Sequence, residues 1–142
     1  MTSTTITLQD WALDTGMYVI VNIHWDGGWF SRFANEEDRD ECMYKYERIW
    51  TQLSDHFKNY SAYLMFESLN EDGGWEEIWN RNSGEGDKEL SFGILNDINQ
   101  KFVDIVRNSG GNNKKRHLLI AGYNTDVELP CDELFKMPDA PA

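Results

Sequence analysis

Three short, nearly continuous apolar runs constrain this chain more than any other feature. They are Met17 to His24 (MYVIVNIH), Ala62 to Leu69 (AYLMFESL) and His117 to Tyr123 (HLLIAGY). Continuous rather than alternating apolarity marks strands covered on both faces, the habit of parallel sheets in α/β folds. Strands are therefore expected over 17–25, 62–70 and 117–123. Helical periods lie between them. In 38–59 the residues Cys42, Met43, Tyr46, Ile49, Trp50, Leu53 and Phe57 recur at three and four, giving one apolar stripe. Asp38, Asp40 and Glu41 fall in its first turn, where the helix dipole favours acids. A second helix over 91–108 carries Leu95, Ile98, Phe102, Ile105 and Val106, and Gly110-Gly111 stops it. Residues 8–16 read as the last turns of a helix ending at Gly16. The order of helix end, strand, helix, strand, helix, strand implies right-handed crossovers and a parallel sheet. A tail over 126–142 holds all three prolines and reads as irregular.

Charge narrows the partners. The formal net charge of -12 argues against nucleic acid, which is bound through clusters of Lys and Arg. It argues equally against an anionic membrane surface. A neutral ligand is not disfavoured. Cys42 and Cys131 stand far apart with no CxxC spacing, which excludes a zinc ribbon and demands no disulfide framework. No apolar stretch is long enough to span a bilayer, and the opening Met1-Thr2-Ser3-Thr4-Thr5 is not a signal peptide.

In parallel α/β sheets ligands meet the C-terminal ends of the strands. All three runs end there in polar groups, glycine and aromatics. The first gives His24-Trp25-Asp26-Gly27-Gly28-Trp29-Phe30, the second Glu67-Ser68-Leu69-Asn70-Glu71-Asp72-Gly73-Gly74-Trp75, the third Ala121-Gly122-Tyr123-Asn124-Thr125. Trp25, Trp29 and Trp75 sit beside Gly or acidic residues, and Trp79 beside Asn80, rather than inside apolar runs. A loop Trp offers a flat apolar face with one polar N–H, which suits the stacking of a sugar ring. The same residues could instead cap the ends of a core.

Phe66-Glu67-Ser68-Leu69-Asn70-Glu71 resembles the fourth-strand signature of glycoside hydrolase family 5, the cellulase family, in which Asn-Glu closes the strand. Residues 11–24 resemble the segment that enters and forms that family's third strand, and 121–125 resemble its fifth strand and exit. The likeness is to the endoglucanase and xyloglucanase branch. It implies that residues 1–142 form one partial (β/α)8 TIM-barrel domain of three parallel strands with intervening helices, since a complete barrel needs roughly 250 residues. It implies an endo-β-1,4-glucanase with a retaining mechanism, acting outside the cell on β-1,4-glucan without metal or cofactor. Glu71 would be the general acid/base, and Asn70 would bind the sugar 2-hydroxyl. His24 would line the same subsite, with Trp25, Trp29, Trp75 and Tyr123 as further substrate contacts. In that branch a second His usually follows the strand-three His; here Trp25 takes its place.

The chemistry suits Glu71. A general acid must be protonated near neutral pH, which apolar surroundings or nearby carboxylates promote. Glu71 follows an apolar run and stands close to Asp72, Glu76 and Glu77. A retaining glycosidase also needs a second carboxylate about 5–5.5 Å away. The family's is a seventh-strand Glu, which has no counterpart here. Glu67 lies four residues before Glu71, roughly 13 Å back along a strand, too far for such a pair. Asp26, on the neighbouring rim, would at best suit the wider inverting geometry. Three strands alone leave two apolar sheet edges, which invite pairing with a second copy. Two readings follow: a glucanase that acts once further segments complete the site, or a catalytically incompetent barrel fragment that at most binds β-glucan and self-associates.

Overall fold

The computed structural model describes residues 3–71 and 73–140. Helix α1 (Ser3–Asp14) leads through Gly16 into strand β1 (Val19–Val21). Helix α2 (Arg39–Phe57), strand β2 (Leu64–Glu67), helix α3 (Lys88–Asn108) and strand β3 (Leu118–Leu119) follow. The strands form one parallel sheet in the order β1-β2-β3, with Val21 opposite Phe66 and Glu67 opposite Leu119. This is the strand–helix alternation expected from the sequence. The chain is a partial (β/α)8 barrel.

The hydrogen-bonded ladders are shorter than the apolar runs. β1 has a neighbour on one side only, and beyond Glu67 side chains take over the pairing. The Ser68 backbone N–H still donates to the Leu119 carbonyl, but the next rung runs from the Ala121 N–H to the Ser68 hydroxyl. One segment that the sequence left as a connection is structured: residues Asp26–Ala34 form 3-10 turns that carry Trp29, Phe30 and Phe33 into the core.

Both long helices pack on one face of the sheet. α2 buries Cys42, Tyr46, Trp50, Leu53 and Phe57, and α3 buries Phe92, Leu95, Ile98, Phe102 and Val106, against Leu64 and Phe66 of β2. The Trp50 ring sits 4.5 Å from that of Phe102 and 5.4 Å from that of Phe66. Each such ring contributes about 2–3 kcal/mol through burial. Asp87 caps α3 by accepting from the Leu90 N–H at 2.8 Å. After α3 the chain turns at Gly110 and Gly111, both with positive φ; a Cβ on Gly111 would lie 2.6 Å from the Lys58 carbonyl.

The opposite face of the sheet is uncovered. Ile20 is 52% exposed and Leu119 38%. In a closed barrel that face is the packed interior. The tail, expected to be irregular, has one 3-10 turn (Leu129–Cys131) and is otherwise moored to α3 by two side-chain amides. Asn96 bonds Leu134 and Lys136, and Gln100 bonds Asp139, through main-chain groups of the tail. At the other end of the sheet Arg116, 1% exposed, donates to the carbonyls of Phe57, Tyr60, Ser61 and Leu64 and to the Asn113 side chain.

Candidate active site

The strand ends turn two of the sequence motifs toward one rim. Ser68 and Leu69 are buried, Asn70 is half-buried and Glu71 is exposed. The chain can fold over Leu69 here because of Gly73 and Gly74. A Cβ on Gly73 would meet Leu69 and Leu95 Cδ1 at 3.2 Å, and one on Gly74 would meet the Tyr123 ring at 2.9 Å. On β1 the register runs one residue past the ladder: Asn22 Nδ2 donates to Glu67 Oε2 at 2.7 Å. The alternation continues through buried Ile23 to exposed His24. His24 and the Asn70–Glu71 pair thus leave adjacent parallel strands at the same end.

Trp25 is 66% exposed, and its ring lies on Gly28, where a Cβ would come within 2.9 Å of it. The turn beneath it has three consecutive positive φ values, at Asp26, Gly27 and Gly28. Asp26 is held there by the Trp29 indole N–H at 2.8 Å and by Lys45 at 3.0 Å. Its hydrogen bond to Lys45, and then that to Trp29, hold the Asp26 carboxyl below the usual carboxylate range. Asp26, weighed from the sequence as a second catalytic carboxylate, is committed to this latch. Asp72, expected to crowd Glu71, lies outside the described residues, and Glu76 and Glu77 are exposed.

Three of the aromatics expected to contact substrate lie in the core. Trp29 is 7% exposed, Trp75 1% and Tyr123 4%. Adjacency to glycine is a poor guide here, because the left-handed turn at 26–28 curls Trp29 back against Phe30 rather than out to solvent. The Trp75 indole donates to the Phe30 carbonyl at 2.9 Å. The Tyr123 hydroxyl accepts from the Trp75 backbone N–H at 3.0 Å and lies 2.7 Å from Ser91 Oγ. Of the four, Trp25 alone offers an open ring face. Asn22 was not among the residues expected at the site; its signal in the sequence is the even spacing it shares with Ile20 and His24.

The model of the cellulase family (glycosyl hydrolase family 5) matches residues 3–140. The chain belongs to that family. Over 119 residues it is 41% identical to a xyloglucan-specific endo-β-1,4-glucanase of Bacteroides ovatus, covering 82% of this chain and 22% of that protein. It is 37% identical over 125 residues to endoglucanase A of Paenibacillus barcinonensis, covering 84% and 29%. Among solved structures, a family 5 lichenase from Caldicellulosiruptor sp. F32 in complex with cellotetraose superposes with a TM-score of 0.82 at 31% identity, over 96% of this chain and 37% of that one. A family 5 xyloglucanase from Paenibacillus pabuli gives a TM-score of 0.79 at 34% identity, over 95% and 37%. The chain therefore spans less than a third of these two sequence relatives.

For a family 5 chain the arrangement is chemically specific. It offers a carboxyl at a strand exit, an amide beside it, an imidazole on the next strand and an indole face at the margin. Among the described residues no group of His, Cys, Asp and Glu could hold a metal ion, and no helix is long and apolar enough to cross a membrane.

Proposed function

We propose that this chain carries the acid/base half of a retaining endo-β-1,4-glucanase site, with Glu71 as the proton donor to the glycosidic oxygen. The observation that carries this reading is the parallel register, with Asn22 bonded to Glu67 and His24 leaving beside Asn70 and Glu71. Family membership supports it, as does likeness to proteins described as endoglucanases and xyloglucanases. Asn70 holds a sugar hydroxyl, His24 lines the same subsite, and Trp25 stacks on a neighbouring ring. The substrate is a neutral β-1,4-glucan met outside the cell.

Glu71 protonates the leaving oxygen and afterwards accepts a proton from the attacking water. The attacking carboxylate comes from beyond these residues, because Glu67 is engaged by Asn22 and Asp26 by Trp29 and Lys45. That double engagement favours a second reading for the chain by itself: binding of glucan without cleavage. Pairing with a second copy is supported by Met17, Tyr18 and Ile20, all more than half exposed, and by a groove of about 420 Å³ along the free edge of β1.

The test combines calorimetry, a reducing-sugar assay and sedimentation. Cellotetraose should bind the wild type, and Trp25→Ala should weaken that binding at least about threefold, the loss of one stacking face. Any release of reducing ends should vanish in Glu71→Gln. Hydrolysis that survives Glu71→Gln rejects the acid/base role, and no binding by the wild type rejects both readings. A monomer at all concentrations rejects the pairing.

A further inference from the structure

Tyr123 emerges from the third strand, yet its hydroxyl reaches the loop after the second and the first turn of α3. Its hydroxyl takes the backbone N–H of Trp75 at 3.0 Å and meets Ser91 Oγ, at the start of α3, at 2.7 Å. Its ring stacks on Phe92 with centroids 5.1 Å apart and lies edge-on to Trp79 at 5.4 Å. The same ring fills the space a side chain at Gly74 would need. The next residue, Asn124, donates its backbone N–H to the Gly73 carbonyl at 3.1 Å. Residues 73–75 are thus gripped from the third strand's exit at three successive points, close behind Asn70 and Glu71 in the chain.

The other side of the grip comes from the first strand's exit. The Trp75 indole N–H reaches the Phe30 carbonyl at 2.9 Å. Trp75 therefore bonds both neighbouring exit loops, through its main chain on one side and its side chain on the other. A buried N–H without an acceptor is expensive, so the loop is held wherever the Tyr123 oxygen stands.

We propose that Tyr123 is a positioning residue for Glu71, fixing residues 73–75, which follow it closely in the chain, through the Trp75 N–H. A phenol that looks from the sequence like a sugar contact works from beneath the site. The Ser91 hydroxyl fixes the phenol's direction, so that a lone pair faces Trp75. This rests on Glu71 being the acid, but the grip itself can be tested without that assumption.

The variant is Tyr123→Phe, which keeps the ring and removes the oxygen. Amide exchange and chemical shifts are followed by NMR in the full chain, with and without cellotetraose, alongside thermal unfolding. The expected result is roughly tenfold faster exchange at Trp75, with shifts confined to 70–75. Cellotetraose binding, read at the Asn70 side-chain amide, should weaken at least threefold. Ser91→Ala should give the same pattern more weakly, because the acceptor oxygen remains. If Trp75 and the 70–75 amides are unchanged in a folded Tyr123→Phe protein, the positioning role is wrong. It is equally wrong if exchange quickens to the same extent throughout the chain, since the hydroxyl would then serve stability alone. Should the wild type ignore cellotetraose, the glucan reading fails, and the exchange at 70–75 alone decides the grip.

Discussion

The Ser68 hydroxyl meets the side-chain carbonyl of Asn99 at 2.6 Å in the middle of the core. The Asn99 amide then donates to the Ala121 carbonyl at 2.9 Å, and the Ala121 N–H returns to the Ser68 hydroxyl at 2.9 Å. This closed triangle joins α3 to the ends of β2 and β3, two residues short of Asn70. Tyr46 adds its hydroxyl to the Ser68 carbonyl at 2.8 Å.

Removing the bridge should therefore be costly. Asn99→Ala leaves the Ser68 hydroxyl and the Ala121 carbonyl without their partner in a site shut off from water. We expect a loss of about 2–4 kcal/mol, measured by denaturant unfolding. A loss below about 1 kcal/mol would mean that water replaces the amide.

Arg116 predicts that charge cannot stand in for shape. Its guanidinium serves four carbonyls and an amide oxygen while lying 4.9 Å over the Phe66 ring. An ammonium is a point donor and cannot span that set. Arg116→Lys should lose roughly 3 kcal/mol or more in denaturant unfolding, nearly as much as Arg116→Met.

Two glycines should respond in opposite directions. Gly86 has φ of 106°, and a Cβ there would lie 2.1 Å from the Ile78 carbonyl oxygen. Gly86→Ala should cost at least about 3 kcal/mol through strain and loss of the bridge to Trp79. Gly93 lies inside α3 with nothing within 4 Å of the added carbon. Gly93→Ala should raise stability by about 0.5–1 kcal/mol. Thermal midpoints of the two variants on either side of the wild type would bear this out; the same sign for both would not.

Acid should weaken the fold through paired carboxylates. Lys88, and then the Leu134 N–H, hold the Asp132 carboxyl below its ordinary range, and Lys45 does the same to Asp26. A carboxyl depressed in the folded state adds stability that is complete above its unfolded value, near pH 4, and is lost as the pH falls through the folded value. Asp132→Asn keeps an acceptor for the Leu134 N–H but loses the ion pair. Its thermal midpoint should lie below that of the wild type at neutral pH, and the gap should close as the pH drops below about 4. A gap that persists at pH 2 would point to packing instead.

The architecture was legible because the three apolar runs lack alternation and the helical stripes between them are clean. Glu71, Asn70 and His24 were legible as strand-end residues in the right order. Which way each tryptophan faces was not. Trp25 and Trp29 are four residues apart in near-identical company, and the positive φ values at 26–28 send one out and the other in. Backbone handedness at that level leaves no periodic trace. Asn99 was discoverable, since it interrupts the stripe of Leu95, Ile98 and Phe102 on the buried side of α3. Tyr123 was not, because its partner is a main-chain N–H that no side-chain pattern announces.

Because one indole is fastened to Phe30 and its own main chain to Tyr123, the lengths of the three exit loops are coupled. Inserting or deleting a residue between Gly28 and Phe30 would pull the Phe30 carbonyl off the indole, and the same change between Glu71 and Trp75 would break both bonds together. Divergence within this scaffold is thereby steered toward exchanging side chains at open positions such as Trp25, and away from gaining or losing residues beside Glu71.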